Sequence, residues 1–170
     1  EQVRLDPETA HPWLLLSDDR KTVQFGDGKQ NLPDTPKRFT SSFSVLGSQG
    51  FTSGRHYWEV EVGEGVCWAV GVALKSVLRK EPLGLLRSEK IWALQLELNG
   101  QYRAERISPY PLALREKLQR IRVHLDYEAG RVTFYNTKDM RLILQFEATF
   151  TEKVFPYFWV YSAKTKIWVC

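Results

Sequence analysis

His56-Tyr-Trp-Glu-Val-Glu-Val62 alternates strictly, with Trp58, Val60 and Val62 on one side of an extended chain and Tyr57, Glu59 and Glu61 on the other. Successive side chains of a β-strand point to opposite faces, so the segment reads as a half-buried antiparallel strand with one core side. The same phase sets Val66, Trp68, Val70 and Val72 against Cys67, Ala69 and Gly71, and Trp92, Leu94, Leu96 and Leu98 against Ala93, Gln95 and Glu97. In Arg120–Asp126 the inward residues are Ile121, Val123 and Leu125. Asp126-Tyr-Glu-Ala-Gly130 is then a turn ending in Gly, and Arg131–Asn136 returns with Val132 and Phe134 inward, which completes a hairpin. Further strands are expected at 14–17, 22–25, 44–47, 142–146, 157–161 and 166–170. Pro7-Glu-Thr-Ala10 behind Asp6 and the stretch 75–80 each predict one short helical turn, too short to cover a sheet. Sheets without covering helices bury their apolar faces on each other, so the expected fold is an all-β, two-sheet antiparallel sandwich. Pro33-Asp-Thr-Pro36 is the one stretch that reads as a hinge.

The rest of the composition agrees with a single domain. The chain has 170 residues, 43% of them hydrophobic and 26% charged, which is ordinary globular usage. Its longest apolar runs, Trp13 to Leu16 and Val154 to Tyr161, fall well short of a bilayer-spanning helix. The acidic start Glu1-Gln-Val-Arg-Leu-Asp6 is not a leader peptide, and a chain opening on Glu1 rather than Met is expected to be a fragment of a longer protein. Cys67 and Cys170 are too few for a disulfide framework; reduced thiols in a cytoplasmic setting are expected. The net charge of +4 comes from scattered basic residues. The densest stretch, 115–122, contains Glu116 and lacks a stacking element, so it reads as a solvated loop entering a strand rather than a nucleic-acid site.

Catalytic constellations are absent from the pattern. His11, His56 and His124 lie in a turn, at a strand start and on an outward strand face, with no pair at metal-ligand spacing. Glu59 and Glu61 share a strand face, as a glycosidase pair would, but read better as a solvent-facing polar row. Gly26-Asp-Gly28 and Gly63-Glu-Gly65 resemble phosphate-loop fragments, yet neither leads into a helix, and both read as hairpin turns. Cys67 has no basic neighbour on its strand and reads as a buried small residue.

Several segments, in order along nearly the whole chain, resemble the PRY-SPRY (B30.2) module of tripartite-motif (TRIM) ubiquitin ligases and butyrophilins. They are Leu5-Asp-Pro-Glu-Thr-Ala-His-Pro12 with Leu15-Leu-Ser-Asp-Asp-Arg20, then Leu32-Pro-Asp-Thr-Pro-Lys-Arg-Phe39. Phe51-Thr-Ser-Gly-Arg-His-Tyr-Trp-Glu-Val-Glu-Val62, Leu125-Asp-Tyr-Glu-Ala-Gly130 and Val132-Thr-Phe-Tyr-Asn136 follow. Ile91-Trp-Ala-Leu-Gln-Leu96 and Asp139-Met-Arg141 look most similar to the glycogenin-interacting TRIM ligase and its relatives. The resemblance implies a bent, concanavalin-like sandwich, with a PRY part over about residues 1–50 and a SPRY part over about 51–170. Its binding surface would be made of loops and one concave sheet face.

The resemblance further implies a non-enzymatic domain that selects protein or peptide substrates for an upstream RING, with no cofactor of its own. Zinc is expected in the absent RING and B-box part. The domain is expected to be a monomer within a parent dimerised by a coiled coil, in a cytoplasmic setting connected with innate immunity, and to bind neither nucleic acid nor membrane. The alternatives are a butyrophilin-like ligand-sensing domain or a carbohydrate-binding sandwich. Strand parity and the family pattern together give the expected partner-binding residues: Ser42, Ser44, Cys67, Ala69, Ala93, Gln95, Glu97, Trp159 and Tyr161. The small residues would leave a depression, Gln95 and Glu97 would offer hydrogen-bonding groups, and Trp159 and Tyr161 would be aromatic anchors. Alternatively, Trp159 and Tyr161 cover a second small core. Where family members carry small residues after Pro-Phe-Phe, Pro156-Tyr-Phe-Trp-Val-Tyr161 would narrow the pocket. Ser42 and Ser44 stand where the glycogenin-interacting relative has polar and basic residues, so recognition of a peptide C-terminus does not carry over.

Overall fold

The computed structural model of the chain describes residues 2–77, 79–81, 90–105, 110–112, 114 and 116–170. Among them the strands are β1 (Leu14–Leu16), β2 (Thr22–Phe25), β3 (Ser44–Leu46), β4 (Arg55–Glu61), β5 (Trp68–Leu74), β6 (Ile91–Leu96) and β7 (Tyr102–Glu105). They continue with β8 (Tyr110–Pro111), β9 (Arg120–Asp126), β10 (Arg131–Asn136), β11 (Arg141–Glu147), β12 (Val154–Val160) and β13 (Lys166–Val169). A seven-stranded sheet runs β1-β2-β13-β4-β9-β10-β11 and a six-stranded sheet runs β3-β12-β5-β6-β7-β8. Every pairing is antiparallel.

The alternation in the sequence decides which faces meet. Trp58, Val60, Ile121, Val123, Leu125, Val132 and Phe134 of one sheet bury in a common core with Trp68, Val70, Val72, Trp92, Leu94 and Phe158 of the other. Trp58 and Trp68 are wholly enclosed. At roughly 25 cal/mol per Å2 of apolar surface removed from water, such indoles are among the largest single contributions to stability in this core.

The outer sides of the two sheets differ. On the seven-stranded sheet that side is polar: Glu59 accepts from Arg120 Nε at 2.9 Å and from Arg122 Nε at 2.7 Å. Arg122 also lies over the Tyr57 ring at 4.2 Å. On the six-stranded sheet it is apolar, because Ala69, Ala73, Ala93 and Ile91 pack with Leu46, Val77, Tyr157 and the loop residue Phe39 in a second core. Strand β5 is consequently buried on both faces. Gly71 is required there, since a Cβ at this position would overlap the backbone of Trp92 and Ala93 on β6.

Several expectations are corrected. No helix forms among the described residues. Residues 7–10 are a turn in which Asp6 Oδ1 accepts the Glu8 N–H; of the stretch 75–80, residues 75 and 76 form a turn, and residue 78 lies outside the described residues. The loop at 33–36 is pinned rather than hinged: buried Arg38 donates to the carbonyls of Pro33 (2.8 Å), Pro7 (3.0 Å) and Ala10 (2.7 Å). Gly63-Glu-Gly65 joins strands of different sheets, as does the long connection containing Gly26-Asp-Gly28, so neither is a hairpin. β6 ends at Leu96, leaving Leu98 76% exposed in the following turn instead of in the core. β5 starts at Trp68 rather than at Val66, because Cys67 has a left-handed backbone (φ 56°). Strands β7 and β8 were not legible in the alternation.

Trp58→Ala should lower unfolding free energy by about 3–5 kcal/mol in a denaturant titration, with unfolding remaining cooperative. Gly71→Ala should destabilise further than an ordinary strand substitution, because backbone of the adjoining strand stands in the way. A midpoint unchanged by either variant would contradict this packing.

Candidate functional site

Five strands set the site at one end of the outer side of the six-stranded sheet. Register places Ser44, Trp159, Ala69, Gln95 and Arg103 in one row across β3, β12, β5, β6 and β7. Toward the end of the sheet from this row lies a depression of about 430 Å3 lined by Cys67, Gln95, Glu97, Leu98 and Asn99. Its polar edge is organised: Glu97 Oε1 lies 2.9 Å from Arg103 Nε, close enough to pair but without hydrogen-bond alignment. Gln95 Oε1 is buried and has no hydrogen-bond donor among the described residues. Burial, reinforced by the nearby Glu97 carboxylate, pushes the Cys67 thiol above its usual range, so it is a poor nucleophile.

The other edge is aromatic. The Tyr161 N–H donates to the Cys67 carbonyl at 2.8 Å, which fixes the chain just past β12 beside the depression. The left-handed turn at Cys67 starts β5 beside this bond. Tyr161 is 57% exposed and stacks on Phe43 with ring centres 5.0 Å apart. Phe43 is backed by Phe25 at 5.0 Å and by His11 at 4.5 Å, and Trp159 lies 6.0 Å from Tyr161. These rings form a ridge with one solvent-facing member.

The structure sorts the expected binding residues into two groups. Gln95, Glu97, Cys67, Trp159 and Tyr161 gather around the depression and its aromatic edge. Ser42 and Ser44 are buried in a hydrogen-bonded chain, Ser42 Oγ to Ser44 Oγ at 2.6 Å and Ser44 Oγ to the Tyr157 hydroxyl at 2.8 Å. Ala69 and Ala93 belong to the second core, and Trp159 packs against its margin. Covering of a second core therefore describes Trp159 in part and Tyr161 not at all. Phe43, Asn99 and Arg103 were missed. Phe43 lies in a loop where parity has no meaning, and Arg103 lies on β7. Of the basic stretch 115–122, Arg115 lies outside the described residues; Lys117 pairs with Glu64 at 3.3 Å and Arg120 with Glu59 at 2.9 Å.

No hydrolytic arrangement forms among the described residues. Glu59 and Glu61 are tied to Arg120, which lies 2.9 Å and 3.3 Å from them, and no group of His, Cys, Asp and Glu there could hold a metal ion. His11 Nδ1 accepts the Trp13 N–H at 3.0 Å.

Comparison with known proteins agrees with this architecture. The SPRY domain family matches residues 55–169, and the SPRY-associated (PRY) domain family matches residues 3–51. The chain belongs to the SPRY domain family, with a PRY segment ahead of the SPRY part. It is 48% identical over 153 residues to Nuclear factor 7, brain, of Xenopus laevis, covering 90% of this chain and 25% of that protein. It is 45% identical over 156 residues to the E3 ubiquitin-protein ligase TRIM69 of Rattus norvegicus, covering 92% and 31%. To Butyrophilin subfamily 2 member A2 of Homo sapiens it is 45% identical over 169 residues, covering 99% and 32%. The chain thus spans about a quarter to a third of the length of these relatives. In three dimensions it superposes on the crystal structure of the TRIM65 PSpry domain with a TM-score of 0.87 at 23% identity, covering 100% of this chain and 90% of that one.

The aromatic ridge carries a pH signature. Burial holds the His11 imidazole below its usual value of 6.5, against the opposing effect of the Thr40 backbone. Protonation would also remove the acceptor of the Trp13 N–H. With the folded value depressed, the unfolded chain takes up the proton first, so stability falls as pH drops below about 6.5. His124, lowered by burial, acts in the same direction. NMR titration should place the His11 pKa below 6.5, and His11→Gln should flatten the fall in Tm between pH 7.5 and 5.5. A ring that titrates above 6.5 would reverse the sign.

Proposed function

We propose that this domain is the substrate-recognition module of a TRIM-type ubiquitin ligase and that it binds a peptide or surface loop of its protein targets at the Gln95–Tyr161 end of the six-stranded sheet. The observation that carries the reading is the unpartnered Gln95 Oε1 at a depression edged by an exposed aromatic ridge. A buried acceptor without a donor costs about 1–3 kcal/mol, and an N–H or O–H that meets it as the Gln95 side chain turns toward the depression recovers that cost. Tyr161 supplies the adjacent apolar surface, as aromatic anchors do in protein interfaces. The polar edge is close to neutral, since Glu97 and Arg103 offset each other. That favours an uncharged donor side chain, such as an amide or hydroxyl, beside an apolar one.

In this reading the domain makes and breaks no bonds. Ubiquitin transfer and its zinc belong to a RING outside these residues, consistent with the 45% identity to an E3 ubiquitin-protein ligase over a shared third of that protein. Action in the cytoplasm, as a monomeric domain of a parent dimerised by a coiled coil, completes the proposal. A peptide array probed with the domain would yield a partner for calorimetric titration. Gln95→Leu should weaken that partner about tenfold, and Tyr161→Ala should cost roughly 2 kcal/mol of binding. Arg131→Gln, on the other sheet, should leave it unchanged. Cooperatively folded Gln95→Leu and Tyr161→Ala variants that bind normally would move the interface elsewhere.

A further inference from the structure

The basic residues that look scattered in the sequence are gathered by the fold at a second place. A pocket of about 250 Å3 lies where Lys37, Lys75, Arg79 and Lys153 meet Asp6, Leu46, Ser48, Gly50 and Phe155. Lys153 and Phe155 stand at the beginning of β12 and Tyr161 just past its end. At ~3.3 Å per residue the pocket is therefore about 25 Å from the aromatic ridge. The second core around Phe39 and Tyr157 lies between them.

The charge here is not balanced. Asp6 is the one carboxylate lining the pocket, and Lys37 is paired outside it with Glu8 at 3.0 Å. Four cations against Asp6, Glu8 and Glu152, whose carboxylate accepts from Ser76 beside Lys75, leave an excess of one positive charge. Among the described residues, Lys75, Arg79 and Lys153 have no carboxylate at ion-pair distance. Arg120, Arg131, Lys138 and Arg141 pair with acids, whereas Arg4, Arg20, Lys29 and Lys164 stand singly among the described residues; what sets this pocket apart is that three such cations meet in one place. Arg79 is the most committed of the pocket cations, since its guanidinium donates to the Lys37 and Lys75 carbonyls and lies 5.4 Å from the centre of the Phe39 ring. Burial disfavours its charge, a cost that an anion beside it would offset. Lys153 is placed by packing: a Cβ on Gly50 would come within 2.6 Å of its Cγ and 2.8 Å of Phe155 Cε2. The lysine stem therefore lies across a glycine that only a bare backbone accommodates.

We infer that this pocket is a second docking site, for an acidic segment of a protein partner, one Asp or Glu side chain entering between Lys75, Arg79 and Lys153. Charge complementarity names the occupant: unpaired ammonium groups on flexible stems around a half-buried guanidinium suit carboxylates on an extended chain. The site stands independently of the Gln95–Tyr161 interface, and the two can fail separately.

The test uses two capped hexapeptides, one of glutamate and one of glutamine, titrated into the folded domain and followed by backbone amide shifts. Saturable shifts confined to Gly47, Ser48, Gly50, Lys75 and Lys153 are expected with the glutamate peptide only, and they should weaken as salt rises from 50 to about 300 mM. Lys75→Gln and Lys153→Gln should each reduce affinity about threefold, and the double variant about tenfold. Gly50→Ala, which displaces the Lys153 stem, should reduce it without removing any charge, whereas Gln95→Leu should not affect it. Equal binding of the glutamine peptide, shifts spread over the whole surface, or unchanged affinity in the folded double lysine variant would overturn the inference. So would displacement of the peptide by inorganic phosphate at equal charge concentration, which would assign the pocket to compact anions.

Discussion

The guanidinium of Arg38, buried and bonded to the carbonyls of Pro7, Ala10 and Pro33, holds the outer half of this domain together. It ties the turn at residues 7–10 to the loop at 33–38 and so delivers Phe39 onto the alanine rows of β5 and β6. A buried charge is costly unless its donors are satisfied; here three carbonyls, otherwise short of partners in irregular backbone, meet that need and gain from it. With Phe39 in place, the outer side of the six-stranded sheet becomes a second core flanked by two depressions. One is bounded by aromatic rings and a lone amide oxygen, the other by cations.

Small residues make this arrangement possible. Gly71 lets β5 and β6 approach, and Ala69, Ala73 and Ala93 leave the thickness of one side chain above the sheet, which Phe39 and Tyr157 fill. The sheet is therefore covered on both faces at its centre. Both depressions lie at the borders of the filled region.

The main strands and their core sides were readable because large apolar residues alternate with polar ones along β4 and β9 and with small ones along β5, which gives a period-two signal in both cases. The hairpin at Gly130 was readable because its turn chemistry is local. The site was readable in part. Gln95, Glu97 and Trp159 follow from parity along β6 and β12, but parity reports which face a residue occupies and not what covers that face. Ala69, Ala93 and Ser44 point to the expected side, yet Phe39 and the Tyr157 hydroxyl, from distant parts of the chain, had already filled it. Phe43 and the cation pocket could not be read at all. Both depend on loops brought together across separations of a hundred residues or so, for which periodicity carries no information.

The order of the strands has a consequence for how the molecule is made. Strand β13 sits between β2 and β4, and β12 sits between β3 and β5. Segments far along the chain are thus inserted into the interior of sheets begun by early ones, with Thr22 opposite Trp168 and Ser44 opposite Trp159. Until those strands arrive, β2 and β3 are separated from the rest of their sheets, with backbone donors and acceptors unpaired. Closure is therefore a long-range event, of the kind that slows folding and prolongs the exposure of open edges. The PRY segment thus completes its backbone pairing only with the chain's final strands, β2 against β13 and β3 against β12.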